Sequence, residues 1–151
     1  MAGYSGTPLP KKLGIKPAAR LALVNAPADF ADTLGELPPG VTPQPLRRGP
    51  YDVVVLFARD DEDLARGLPA ARERLDPAGG LWVAWPKKSS RRASGIKTDV
   101  TEQEVRARGL ALGLVDNKVC AIDDTWSGLR FVVPLADRPK AGAVRPARAK
   151  K

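Results

Sequence analysis

An α/β fold built on a mostly parallel sheet follows from three features of one stretch. The run Val53-Val54-Val55-Leu56-Phe57 is apolar without alternation, the mark of a strand covered on both faces. After it, Asp60-Asp61-Glu62-Asp63 supplies an N-cap and an acidic first turn, and Leu64, Leu68, Ala71 and Leu75 recur at helical spacing. A second apolar run, Leu81-Trp82-Val83-Ala84-Trp85, closes a βαβ unit, a connection that is right-handed in nearly every known case. The expected class is a single three-layer α/β domain whose sheet ends in an antiparallel hairpin.

Thr7 caps a short turn through Leu13 that ends at Gly14, and Leu21-Ala22-Leu23-Val24 reads as the first strand. Residues 29–37 form a short helix stopped by Pro38-Pro39-Gly40. Residues 41–46 carry Pro43 and Pro45 and amount at best to an edge strand. Only Arg47-Arg48-Gly49-Pro50 separates that segment from the core strand, whereas a parallel crossover takes a dozen or more residues. It is therefore either very short or not paired in the usual way. In the central helix Pro69 removes one N–H from the ladder and should bend it. Asp76-Pro77-Ala78-Gly79-Gly80 stops that helix, and Pro86-Lys87-Lys88 ends the second apolar run. Ser89-Ser90-Arg91-Arg92-Ala93-Ser94-Gly95 is a polar, basic loop without periodicity.

The next helix is signalled by the capping box Thr101-Glu102-Gln103-Glu104, by Val100 and Val105 at the positions of a hydrophobic staple, and by Gly113 at the stop. Residues 114–122 and 129–135 read as strands joined by Asp123-Asp124-Thr125-Trp126-Ser127-Gly128, a link short enough to require an antiparallel hairpin. The organisation expected is a basic segment with a short helix over residues 1–19, the α/β domain over 20–135, and a disordered basic tail over 136–151.

Composition excludes several chemistries. Histidine is absent, which removes serine–histidine catalysis and histidine-based zinc sites, and a single cysteine builds neither a disulfide within the chain nor a thiolate cluster. No apolar run approaches the roughly 20 residues of a membrane span, and the N-terminus lacks the apolar core of a secretory signal. A cytoplasmic protein with no membrane contact, no metal and no cofactor is expected. The net charge of +8 is unevenly placed: residues 1–20, 87–97 and 138–151 contain cations and no acid, whereas the rest of the chain carries more acids than cations. Such a layout suits weak contact with nucleic acid or another polyanion through the appendages, for which Arg91, Arg92, Lys97, Arg145, Arg148, Lys150 and Lys151 are the candidates.

The order of elements over residues 20–135 resembles an abbreviated class I methyltransferase sheet of Rossmann-like type with its terminal hairpin. That resemblance implies a glycine-rich turn after the first strand and an acid ending the second, which together cradle S-adenosylmethionine. The turn here is Asn25-Ala26-Pro27-Ala28-Asp29, without glycine, and residues 41–46 offer no acid. Over nearly the whole chain except the tail, the sequence also resembles the uncharacterised actinobacterial domain-of-unknown-function family 3052. That likeness rests on Gly3-Tyr4-Ser5-Gly6, Lys11-Lys12-Leu13-Gly14-Ile15-Lys16, Gly80-Leu81-Trp82-Val83-Ala84-Trp85-Pro86-Lys87-Lys88, and Val115-Asp116-Asn117-Lys118-Val119-Cys120-Ala121-Ile122-Asp123 with Trp126-Ser127-Gly128-Leu129-Arg130. It implies no particular activity.

Ligands of open α/β sheets bind outside the carboxyl ends of the strands. That rule gathers Asn25, Trp85, Lys87, Lys88, Trp126 and Arg130 into a candidate rim, where aromatic faces beside cations suit a base or a phosphate. Plainer readings compete. Tryptophans in an apolar strand are more often core, Cys120 reads as a small buried hydrophobe, and Asp123-Asp124 serves a turn more readily than magnesium. With no nucleophile–base pair, the expected function is a non-catalytic binding or regulatory domain. A nucleic-acid accessory protein is the alternative, and a reduced methyltransferase-like enzyme ranks third.

Overall fold

The computed structural model describes residues 7–88 and 100–138. Its elements run α1 (Leu9–Lys12), β1 (Leu21–Val24), α2 (Phe30–Leu34), β2 (Gln44–Pro45), β3 (Tyr51–Phe57), α3 (Asp61–Glu73), β4 (Leu75–Pro86), α4 (Glu102–Ala111), β5 (Val115–Ala121) and β6 (Trp126–Val132). The sheet has the order β2-β1-β3-β4-β6-β5. β1 to β4 pair in parallel, and β6 runs antiparallel to both β4 and β5. This is the expected three-layer α/β architecture with its terminal hairpin.

The unbroken apolar run of β3 is explained by its place between β1 and β4, with both faces covered. Val54 and Leu56 meet Leu64, Leu68 and Ala71 of α3, together with Val105 of α4, Leu81 and Phe131. Val53, Val55 and Phe57 meet Leu9 and Leu13 of the N-terminal segment, Phe30 and Leu34 of α2, and Trp82. The N-terminal segment is thus part of one cover of the sheet. Trp82 locks it there, donating its indole N–H to the carbonyl of Leu13 at 3.0 Å. The side chains expected at the two N-caps both accept a backbone N–H. Asp60 accepts from the N–H of Asp63 at 2.8 Å, and Thr101 accepts from the N–H of Glu104 at 3.2 Å.

Several boundaries differ from the sequence reading. α2 stops at Leu34 because Gly35, at φ +74°, turns the chain out of the helix before Pro38. β2 keeps only two residues, as its prolines require. β4 starts at Leu75, so Asp76-Pro77-Ala78-Gly79-Gly80 lies inside the strand. It forms an irregularity in which Leu75 pairs with Tyr51 but Gly80 already pairs with Val53. Asp76, 2% exposed, fastens that bulge by accepting the N–H of Ala78 at 2.8 Å. At the hairpin, β6 begins at Trp126, and Asp123 makes the turn by accepting the N–H groups of Thr125 and Trp126, each at 2.8 Å. β5 is an edge strand with Val119 52% exposed, and the fully buried residues flank it, Leu114 before and Ile122 after. No helix among the described residues is long and apolar enough to cross a membrane.

Candidate functional site

Chain direction puts the carboxyl ends of β1, β3 and β4 on one rim, and the hairpin turn joins them. Pro86 pairs with Trp126, and the N–H of Lys87 donates to Thr125 at 2.8 Å. The topological switch lies between β1 and β3, because β2 and β4 leave β1 and β3 on opposite sides. At that crevice the chain bridges itself. Asn25, exposed and at φ +58°, reaches the carbonyl of Phe57 with its side-chain amide at 3.4 Å. Arg59 crosses in the other direction and donates to the carbonyl of Asn25 at 2.9 Å. The guanidinium carbon of Arg59 also lies 5.5 Å from the centroid of the Trp126 ring.

Beneath this bridge stands an aromatic ladder. Phe30 meets Phe57 edge-on at 4.8 Å, and Phe57 meets Trp126 edge-on at 5.0 Å. Trp126 is 4% exposed, so it works as a packed lid of the inner face and presents no free stacking surface to a base.

Of the six rim candidates, the structure brings four to this end of the sheet: Asn25, Lys87, Lys88 and Trp126. Trp85 also ends β4, but alternation turns it to the opposite face, where it packs with Val100 and Val105. The two tryptophans therefore do not flank one cleft. Arg130 pairs with Trp82, four residues along β6 from Trp126 or about 13 Å at 3.3 Å per residue. It lies toward the amino-terminal ends of the parallel strands. The sequence reading placed it on the rim by taking residues 123–128 as a turn, when β6 in fact begins at Trp126. Arg91, Arg92, Lys97, Arg145, Arg148, Lys150 and Lys151 lie outside the described residues. Arg59 was missed as a named candidate, although its position directly after the core strand is the signal that could have found it.

Burial pushes the Cys120 thiol up, against the smaller downward pull of Lys12 and Lys118, so it resists forming the thiolate. Asp123 spends one carboxylate oxygen on two backbone N–H groups. Among the described residues, no group of three or more acidic or cysteine side chains is placed to hold a metal ion.

The S-adenosylmethionine cradle of this fold class does not fit the residues present. Asn25 makes the turn after β1 with a Cβ and an occupied carbonyl, and β2 is followed by Leu46-Arg47 without an acid.

The family model described as Protein of unknown function (DUF3052) matches residues 47–135. Among curated proteins, none matches the chain in sequence. Solved structures share its fold at low identity. The chain is similar to the protein of the DhpI-SAH complex, with a TM-score of 0.58 at 11% identity, covering 87% of this chain and 84% of that one. A putative type 11 methyltransferase from Sulfolobus solfataricus gives 0.56 at 12% identity, over 91% of this chain and 94% of that one. A SAM dependent methyltransferase from Aquifex aeolicus gives 0.53 at 15% identity, over 82% and 87%. The architecture is thus a methyltransferase-type Rossmann-like sheet.

Proposed function

We propose that this chain, which belongs to the DUF3052 family, acts as a binding domain that uses the methyltransferase-type scaffold without transferring methyl groups. One observation carries the reading: the crevice between β1 and β3 is crossed by the Asn25 and Arg59 hydrogen bonds. The ligand position usual for such sheets is therefore spanned by the chain's own groups. A base positioned to accept the substrate's proton would assist such transfer. The chain has no histidine, and the Asp123 carboxylate is committed to its turn.

Calorimetric titration with S-adenosylmethionine, paired with an assay of labelled-methyl transfer to protein and nucleic acid, tests this. Neither heat nor transfer is expected. Ligand at a hundred times its dissociation constant would stabilise the fold by about 2.7 kcal/mol, so melting curves give a second readout. Saturable binding of S-adenosylmethionine with a raised melting temperature would overturn the reading.

The segregated charge favours a second reading, an accessory protein that meets nucleic acid through its basic segments. It rests on composition, and truncation of the tail tests it.

A further inference from the structure

At the amino-terminal ends of β1, β3 and β4, away from the rim, the chain forms an open pocket of about 460 Å3. Its size falls in the range of about 300–1,000 Å3 typical of small-molecule sites. Gly14, Lys16 and Ala18 of the loop after α1 form one wall, and Asp52, Gly79 and Arg130 of the sheet form another. Ala18 holds a φ of +63°, an uncommon conformation for alanine, with its N–H bonded to the carbonyl of Pro39 at 2.8 Å.

Arg130 is the unusual member. It is half-buried, and no carboxylate among the described residues pairs with it. Burial, and after it the like charge of Arg138, depress its pKa, which is the signature of a cation short of a counter-charge. Asp52, the carboxylate on the wall, has one oxygen engaged by the backbone N–H of Arg20 at 2.8 Å. The strand gives the guanidinium room: a Cβ at Gly80 would stand 2.5 Å from Nε of Arg130 and 2.7 Å from Nη2. A half-buried, unpaired guanidinium costs stability unless an anion meets it, and its planar fork matches the two oxygens of a carboxylate or phosphate.

We propose that this pocket binds a small organic oxyanion, whose phosphate or carboxylate group is held by Arg130 with Lys16 as the second cation. The inference rests for its role on the binding-domain reading, which it deepens, but the two fail separately. Cofactor binding at the rim would overturn that reading and leave this site standing.

The test is a titration of the 15N-labelled protein, at constant ionic strength, with sodium pyrophosphate and separately with sodium citrate. Saturable shifts are expected at the amides of Gly14, Ala18 and Gly79 and at the Nε–H of Arg130. Response to one anion alone assigns the phosphate or the carboxylate class. Arg130→Gln should weaken binding about tenfold or more, the worth of a hydrogen bond to a charged group. It should not lower the melting temperature of the ligand-free protein, because it removes an uncompensated charge. Gly80→Ala, which displaces the flexible guanidinium and leaves the wall otherwise intact, should weaken binding in the same direction. Absence of saturable shifts with both anions would overturn the proposal. So would unchanged affinity in Arg130→Gln, or shifts confined to Asn25, Arg59 and Lys87.

Discussion

Trp82 shows how much of this molecule hangs on single side chains that serve two purposes. Its ring fills the inner face of the sheet at 0% exposure, and its N–H satisfies the carbonyl of Leu13, 69 positions away in sequence. Trp82→Phe keeps most of the packing but leaves a buried carbonyl unpaired. It should destabilise the fold by about 1–3 kcal/mol, read as a lower denaturation midpoint with an unchanged slope. If the midpoint does not move, water or another donor replaces the indole, and the tie between α1 and the sheet is weaker than its geometry implies. Composition could suggest that Trp82 is core, but nothing in its neighbourhood named Leu13 as the partner. Such contacts depend on the path of a loop that periodicity does not describe. Trp126 makes the same point in reverse. Its place in a polar link made it a rim candidate, whereas the two hydrogen bonds to Asp123 tighten the turn and start β6 at Trp126 itself, folding the ring onto Phe57.

Among the elements, those with a strong period were legible and those set by pairing were not. β1, β3 and α3 stand where the apolar runs and the Asp60 cap put them. β4 reached back to Leu75 because pairing with Tyr51 offset the Pro77 and Gly79 that read as a stop. Helix α4 forms only half of the capping box that the sequence describes. Thr101 receives the N–H of Glu104, but the Glu104 carboxylate turns to Arg108 at 3.5 Å, which also holds Asp61 of α3 at 2.6 Å. Two carboxyls therefore share one guanidinium. Hydrogen bonding from Glu104, ahead of that from Arg108, holds Asp61 below its usual pKa. The hydrogen bond to Asp61, with burial and the Asp61 charge, raises Glu104. The signs oppose each other. The Asp61 contribution is present above the ordinary carboxylate range and is lost as pH falls through its lowered folded value. That of Glu104 is full below its ordinary value of 4.5 and is lost as pH rises through its raised folded value. Glu104→Gln keeps a donor for Asp61 and removes only the second term. Its melting temperature relative to the parent should therefore climb as pH rises from below 4.5 toward neutrality. A difference independent of pH would mean that the carboxyls do not interact. The same helix packs through Gly109, where an added Cβ would run into the ring of Phe131. Gly109→Ala should thus destabilise by about 1–3 kcal/mol through overpacking, despite a gain in helix propensity of up to about 1 kcal/mol. A more stable variant would show that Phe131 can move aside.

At the scale of the whole molecule, the two ends of the sheet differ in how their polar groups are engaged. The carboxyl rim is bridged by Asn25 and Arg59, while an unpaired arginine faces a pocket at the amino end. The sequence indicated the first through its missing glycine. It hid the second, because only the register of β6 against β4 sets Arg130 beside Gly80. Charge adds a third region, the C-terminal segment. Arg138 donates to the carbonyl of Val133 at 2.8 Å and so belongs to the folded part, which leaves five cations and no acid in residues 139–151. If all five meet phosphates of duplex DNA, log affinity should fall with log salt at a slope of about −4.5. Binding would then be largely indifferent to sequence and weak at physiological ionic strength. A chain ending at Arg138 should lose most of that affinity and that slope, and it should keep the melting temperature of the full chain, since it retains every described contact of the core. Binding of DNA or RNA by the shortened chain at full strength would move the contact to residues 87–97 or to the N-terminal lysines. If neither chain binds at low salt, the segment is a solubilising extension, and the nucleic-acid reading falls with it.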